Sequence, residues 1–331
     1  MLTTWSKRYL EIQPSTILAI ALKPSRLASR VKRLIINADD FGLTPGVNQS
    51  IQELHQAGAL TSTTLMATSR EFSDAARQAL LLPSLGVGCH VVLVDGAPAL
   101  PSAQIPALTA QNSQFRPTLG GFVIDLMRGR IPEKEIEAEA VAQIRRLQQA
   151  GIKVTHLDTH KHTHMFARVL RPLLRAALIC GIPAIRNPFE QQWAISATPN
   201  APFARRLEVK ALRTQRASFL KLVRQAGLTT TDGAVGVLAT GTLNAETLRS
   251  LLSAIPDGTW ELVCHPGYPD SALDQVRTRL RASRATEHQA LLDVIPKIGD
   301  IALIHFGRIG EAVFESPDRT TASNTGRTIS P

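Results

Sequence analysis

Two adjacent carboxylates, Asp39 and Asp40, end a hydrophobic run in Asn37-Ala38-Asp39-Asp40-Phe41-Gly42. Neighbouring carboxylates at the edge of an apolar core repel each other and lose hydration, so they call for positive charge beside them. A bound cation would supply it; an isolated pair would more simply place one aspartate as a helix cap and the other in water. The pair is not isolated. Gly88-Cys89-His90 closes a second apolar run, and His156-Leu157-Asp158-Thr159-His160-Lys161-His162-Thr163-His164 gathers four of the nine histidines within one short stretch, a density that packing alone does not explain. Alternate residues of a strand point one way, so His156, Asp158 and His160 are expected on one face, though not all as ligands. His265 opens His265-Pro266-Gly267, and Arg186 ends the short run Ala184–Arg186. One carboxylate with two imidazoles forms a facial set suited to zinc or another borderline divalent ion, with positions left for water and substrate. That is the equipment of a hydrolase.

The elements that must position these groups alternate along the chain. Apolar runs read as strands at Leu34–Ala38, Thr63–Ala67, Leu85–Leu93, Val154–Leu157, Ala184–Arg186, Ala234–Ala239, Trp260–Cys264 and Ile301–Phe306. Between them lie stretches of helical period, such as Val47, Ile51 and Leu54 before Gly58, and the acidic segment Glu133–Ala150. Repeated strand–helix units predict a parallel sheet, and seven or eight mostly parallel strands predict an α/β, TIM-like (β/α) barrel. The candidate residues then share the carboxyl ends of the strands, where such barrels carry their chemistry. A Pro-rich excursion spans 96–117, and 189–231 reads as an inserted helical subregion or lid. Residues 1–31 form a basic leader outside the barrel domain 32–315, and 316–331 a disordered tail rich in Ser, Thr and Asn.

With 331 residues and 44% hydrophobic content, the chain can bury one large core. Its longest apolar runs fall far short of the ~18 residues that cross a bilayer. Three scattered cysteines are no disulfide framework, and no small-residue cleavage pattern follows the leader, so a cytoplasmic location is expected. The leader carries most of the +10 net charge. A second basic cluster runs from Arg205 to Arg224 with Glu208 its one acid, and reads either as a solvated helix face or, with Trp193, Phe203 and Phe219, as a peripheral contact with the membrane surface. No zinc finger, helix-turn-helix or RNA-binding signature is present, so nucleic acid is not an expected partner; a homodimer is compatible with the sequence.

In Asn37–Leu43, Thr61-Ser62-Thr63-Thr64, Gly88-Cys89-His90, His156–His164 and Glu261–Gly267 the chain resembles the YdjC family of carbohydrate deacetylases, which includes the chitooligosaccharide deacetylases. The resemblance extends from about Lys32 to Gly310 and is greatest to the hopanoid-biosynthesis branch, called HpnK. It implies a divalent metal ion, zinc or magnesium, held by Asp40, His90 and His160, with Asp39 as base and His265 as acid. Asp158, His164 and Arg186 are then candidates to orient this machinery or to touch substrate. The implied reaction is hydrolysis of the acetamide of an N-acetylated amino sugar, on this branch a lipid-linked N-acetylglucosaminyl hopanoid. Other amide or phosphoester hydrolysis, and a non-catalytic protein acting through its basic surface, are the competing readings.

Overall fold

The computed structural model describes residues 31–311. The leader, save its last residue, and the tail lie outside them. Among the described residues there are seven parallel strands: β1 Lys32–Phe41, β2 Ser62–Leu65, β3 Gly86–Val91, β4 Leu157–Thr159, β5 Gly233–Val235, β6 Gly258–Cys264 and β7 Ile301–Leu303. They run in the order β4-β3-β2-β1-β6-β5, with β7 paired to the start of β1. Single parallel bridges complete the ring, Leu157 to Ile185 on one side and Glu190 to Ala234 on the other. The architecture is thus the expected parallel (β/α) barrel.

The long central strand β1 is buried from Leu34 to Phe41 because neighbours flank it on both sides. It leads into α1 (Pro45–Gln56), whose Thr44 side chain caps Val47 N–H and whose Val47, Ile51 and Leu54 pack inward. The remaining helices are α2 Phe72–Leu80, α3 Leu119–Met127, α4 Glu133–Gln149, α5 Ala167–Cys180, α6 Gln192–Ala197, α7 Phe203–Leu212, α8 Arg216–Gln225, α9 Ala245–Ser253, α10 Ser271–Asp274 and α11 Ala282–Val294. Two acids of α4 are buried for a reason composition does not disclose. Glu139 accepts Ala99 and Leu100 N–H (2.7 and 3.0 Å), and Glu135 accepts Ala107 and Leu108 N–H (2.8 and 3.2 Å). The Pro-rich excursion is thereby tied to the barrel.

Three expectations are corrected. The run Ala184–Arg186 forms no ladder, only isolated bridges to β4 and to Thr229; Pro183 and Pro188, which have no N–H to donate, bracket it and cut the pairing short. The strand expected over Ala234–Ala239 stops at Val235, where Gly236 turns at φ +89°. Of the three aromatic residues expected at a membrane surface, Phe219 is in the core and Trp193 is half-buried against Trp260; Phe203 alone is exposed.

Candidate active site

Strand register brings the sequence candidates together. His90 and Asp158 are register partners on β3 and β4, so their side chains stand side by side, and His90 Nδ1 lies 2.8 Å from Asp158 Oδ1. That contact turns Nε2 towards Asp40. At the end of β1 the backbone takes the left-handed conformation at Asp40 (φ 67°), which breaks the alternation of the strand and lets two successive carboxylates face one site. Asp40 Oδ1 then faces His90 Nε2 at 3.7 Å and His160 Nδ1 at 3.5 Å. One ligand atom from each of the three lies within 4.8 Å of the others.

This donor set fits a divalent ion. It offers one carboxylate oxygen and two imidazole nitrogens, and the non-ligating nitrogen of His90 is already fixed by a carboxylate, as metal-binding histidines commonly are. A second convergence, of Asp39, His90 and Asp158, is already occupied by a cation of the chain's own. Arg186 is fully buried; it grips Asp39 through Nη1 and Nη2 (2.8 and 2.6 Å), bonds Asp158 through Nη1, and donates from Nε to Glu261 (2.7 Å).

The electrostatics follow from that crowding. Burial pushes the Asp39 carboxyl up, but Arg186 and then His90 outweigh it and hold the group far below the usual carboxylate range. Burial acts likewise on Asp40, and Arg284 and His160 overcome it. Burial disfavours the charged imidazole of His90, yet Asp158 outweighs it and lifts His90 to about 9. Glu261 receives one guanidinium bond amid two other acids and is raised, mainly by burial, to about 8. His265 follows β6, with Nε2 3.8 Å from Asp39 Oδ2 and Nδ1 without a partner among the described residues; burial lowers its pKa, leaving a neutral imidazole.

A cavity of about 1070 Å³ opens above these groups. Its floor carries Asp39, Asp40, His90, His160 and His265, while Met66, Phe166, Phe189, Val209, Leu212 and Leu280 line its walls. His164 does not reach it. Its Nδ1 meets Thr159 Oγ1 at 2.7 Å and its ring packs near Phe219, because two left-handed residues, Lys161 and His162, bend the chain before it. His156 is also diverted: it stacks on Phe306 at 3.8 Å inside the barrel and does not share the metal-facing side with His160. Sequence reasoning missed Arg284 and Glu287 of α11. Arg284 Nη2 donates to Asp40 Oδ2 at 2.6 Å, and Glu287 Oε2 accepts His265 N–H at 2.6 Å. Their spacing reads as an ordinary ion pair on a helix surface.

Comparison with known proteins places the chain among relatives. The family model described as YdjC-like protein matches residues 33–296. A carbohydrate deacetylase of Thermoanaerobacter pseudethanolicus is 28% identical over 263 residues, covering 80% of this chain and 92% of that protein. A chitooligosaccharide deacetylase of Salmonella typhimurium is 37% identical over 151 residues, 45% of this chain and 57% of its own length. A crystal structure from Enterococcus faecalis, described as a cellobiose-phosphate cleavage protein, superposes with TM-score 0.68 at 27% identity, covering 83% of this chain and 98% of that one.

Proposed function

Because the chain belongs to the YdjC-like family, we propose that it is a metal-dependent N-deacetylase acting on an N-acetylglucosamine conjugate, with N-acetylglucosaminyl hopanoid as substrate. The observation that carries the reaction type is the convergence of Asp40, His90 and His160 on one point of the cavity floor, with Asp39 and His265 beside it. Two imidazoles in the set suit zinc better than magnesium. Arg186 fills the neighbouring acidic cluster, so the floor has room for one ion, which favours amide hydrolysis over phosphoester chemistry of the two-metal kind.

An ion held by Asp40, His90 and His160 would supply Lewis acidity to the acetamide oxygen and to the attacking water. Asp39 orients that water and accepts its proton. The grip of Arg186 makes this carboxylate a weak base, so the proton passes on to His265, whose imidazole is neutral and 3.8 Å away. The water oxygen bonds to the acetyl carbon, and His265 returns the proton to the departing nitrogen as the C–N bond breaks. A free amine and acetic acid result, and the acid gives up its remaining proton as acetate leaves, to the amine or to solvent. Asp158 fixes the His90 ring and Arg186 fixes Asp39; both act through other residues.

The apolar walls formed by Met66, Phe166, Phe189, Val209, Leu212 and Leu280 offer a large apolar group a place beside the sugar, whose hydroxyls can meet polar lining residues such as Asp95, Lys161 and Glu190. The helical subregion 189–231 supplies part of those walls through Phe189, Val209 and Leu212 and serves as the lid, and the mouth faces the membrane in which such a substrate resides. The test is to incubate zinc-loaded protein with acetylated glucosaminyl hopanoid and with chitobiose in parallel and follow loss of the acetyl mass. Turnover of the first in preference to the second is expected. Turnover of chitobiose alone would move the protein to the sugar-oligomer branch, and release of phosphate from sugar phosphates without acetate release would end the deacetylase reading.

A further inference from the structure

We infer that α11 carries two positioning residues, Arg284 and Glu287, which set the aim of Asp40 and His265; this rests on the metal-site reading above. Both side chains are buried, at 1% exposure. Three residues apart, they share one face of the helix, and that face is turned to the cavity floor. Arg284 Nη2 takes one oxygen of Asp40 at 2.6 Å, which leaves the other oxygen to face His90 and His160. Asp40 has a left-handed backbone that a non-glycine residue adopts at a cost, so its carboxylate benefits from an outside restraint. Glu287 holds His265 by its backbone N–H at 2.6 Å.

The backbone after His265 is seated on the same turn. Gly267 N–H donates to Arg284 O at 3.2 Å, and a Cβ at Gly267 would stand 3.1 Å from Arg284 Cδ, tighter than an ordinary contact, so the two segments pass close together there. One turn of α11 thus spans the ends of β1 and β6. His288, next on that face, anchors it by bonds to Ser50 Oγ of α1 (2.7 Å) and Tyr268 OH (3.0 Å).

A purely stabilising role would leave a different arrangement. A buried Arg and Glu at this spacing gain most by pairing with each other, yet no ion pair joins them among the described residues, and Arg284 Nε has no partner there. Unpaired buried polar atoms are costly. The chain bears that cost where it orients two groups of the site, 244 and 22 residues away in sequence.

Cobalt(II), added alone to the metal-free full-length protein, reports ligand geometry through its visible spectrum. Arg284→Met frees the second oxygen of Asp40, and the spectrum and dissociation constant are expected to change, the latter by about tenfold or more, with Arg284→Lys moving the same way by less. Glu287→Ala should leave the cobalt spectrum as in the parent but lower kcat for acetate release about 10–100-fold with KM within about threefold, and Glu287→Gln, which keeps an oxygen acceptor, should recover most of the loss. Circular dichroism establishes that each variant is folded; should Met or Ala prevent folding, the Lys and Gln variants decide alone. Folded Arg284 variants with the parent spectrum and affinity, or Glu287→Gln as slow as Glu287→Ala, overturn the inference. A parent that binds cobalt but releases no acetate sinks the deacetylase reading and leaves the Arg284 comparison deciding this one; a parent that binds no cobalt overturns both.

Discussion

Asp39 and Asp40 are adjacent in sequence and face one cavity floor, yet they meet different partners. Asp40 presents an oxygen to two imidazoles, while Asp39 is clamped by Arg186. Asp39→Asn is therefore expected to keep zinc at the parent stoichiometry and lose about 10²–10⁴-fold in kcat, whereas His160→Ala loses both metal and turnover. Metal content by mass spectrometry alongside acetate release checks this, and an Asp39→Asn enzyme with parent activity would remove the acid–base proposal. The residues that local motifs announced were those set at strand ends by the chain's own alternation. Arg284 and Glu287 were illegible because what sets them apart is a partner far away in sequence. His156 misled for a related reason: it lies just before β4, where strand alternation no longer fixes its side, and it stacks on Phe306 inside the barrel. Burial keeps His156 neutral and its pKa well below 6.5. Since the unfolded chain takes up that proton first, this histidine costs stability as pH falls below 6.5, by about 1.4 kcal/mol per pH unit. Glu190, Glu261 and Glu287, raised to about 7, 8 and 7, contribute the opposite slope. The His156 contribution is therefore read as a difference: urea unfolding at pH 7 and pH 5 should show His156→Phe gaining on the parent in acid. An equal gap at both pH values would mean that His156 is charged in the fold.

At the scale of elements, the barrel is closed by contacts rather than by ladders. Strand β4 has three residues and β5 three, and between them the 184–190 segment bridges to both by single pairs. Such short runs lie at the limit of sequence reading, because polar residues facing the site interrupt the apolar pattern that marks a strand. The longest, most apolar strands, β1 and β6, were found within a few residues. The interior is packed tightly enough that one glycine decides whether an element fits. A Cβ at Gly88 of β3 would stand 2.5 to 2.7 Å from the ring atoms of His156, and that ring cannot retreat because Phe306 is stacked 3.8 Å behind it. Gly88→Ala is therefore expected to destabilise the fold by about 1–3 kcal/mol, measured as a lower urea midpoint with unchanged m-value. An unchanged midpoint would show that β3 can shift without cost. A matched Gly120→Ala control, where no atom lies within 4 Å, should leave the midpoint near that of the parent.

At the scale of the whole molecule, the question is how an apolar-walled cavity meets its substrate. The two helices that border the mouth expose apolar side chains: Phe203 (81% exposed) and Leu207 (58%) on α7, Ile124 and Met127 on α3. Arg277 and Arg279 on the rim make no ion pair among the described residues. No described helix is long and apolar enough to cross a bilayer. Exposed apolar tips beside such cations are what the proposed peripheral contact calls for, with side chains dipping into an interface and cations meeting anionic headgroups. The aromatic and basic composition of 193–224 suggested such a surface, but which residues face outward was hidden from sequence, since helix phase alone does not say which side a neighbour covers. The expectation is that the protein floats with vesicles rich in phosphatidylglycerol and not with neutral ones, with binding weakened at high salt. Replacing Phe203 and Leu207 together by serine should lower the bound fraction about tenfold or more, while acetate release from a water-soluble N-acetylglucosamine conjugate stays at the parent rate, because neither side chain lines the cavity. Vesicle binding that survives the double substitution would place the membrane contact elsewhere, and its absence in the parent would leave the apolar cavity to be filled from solution.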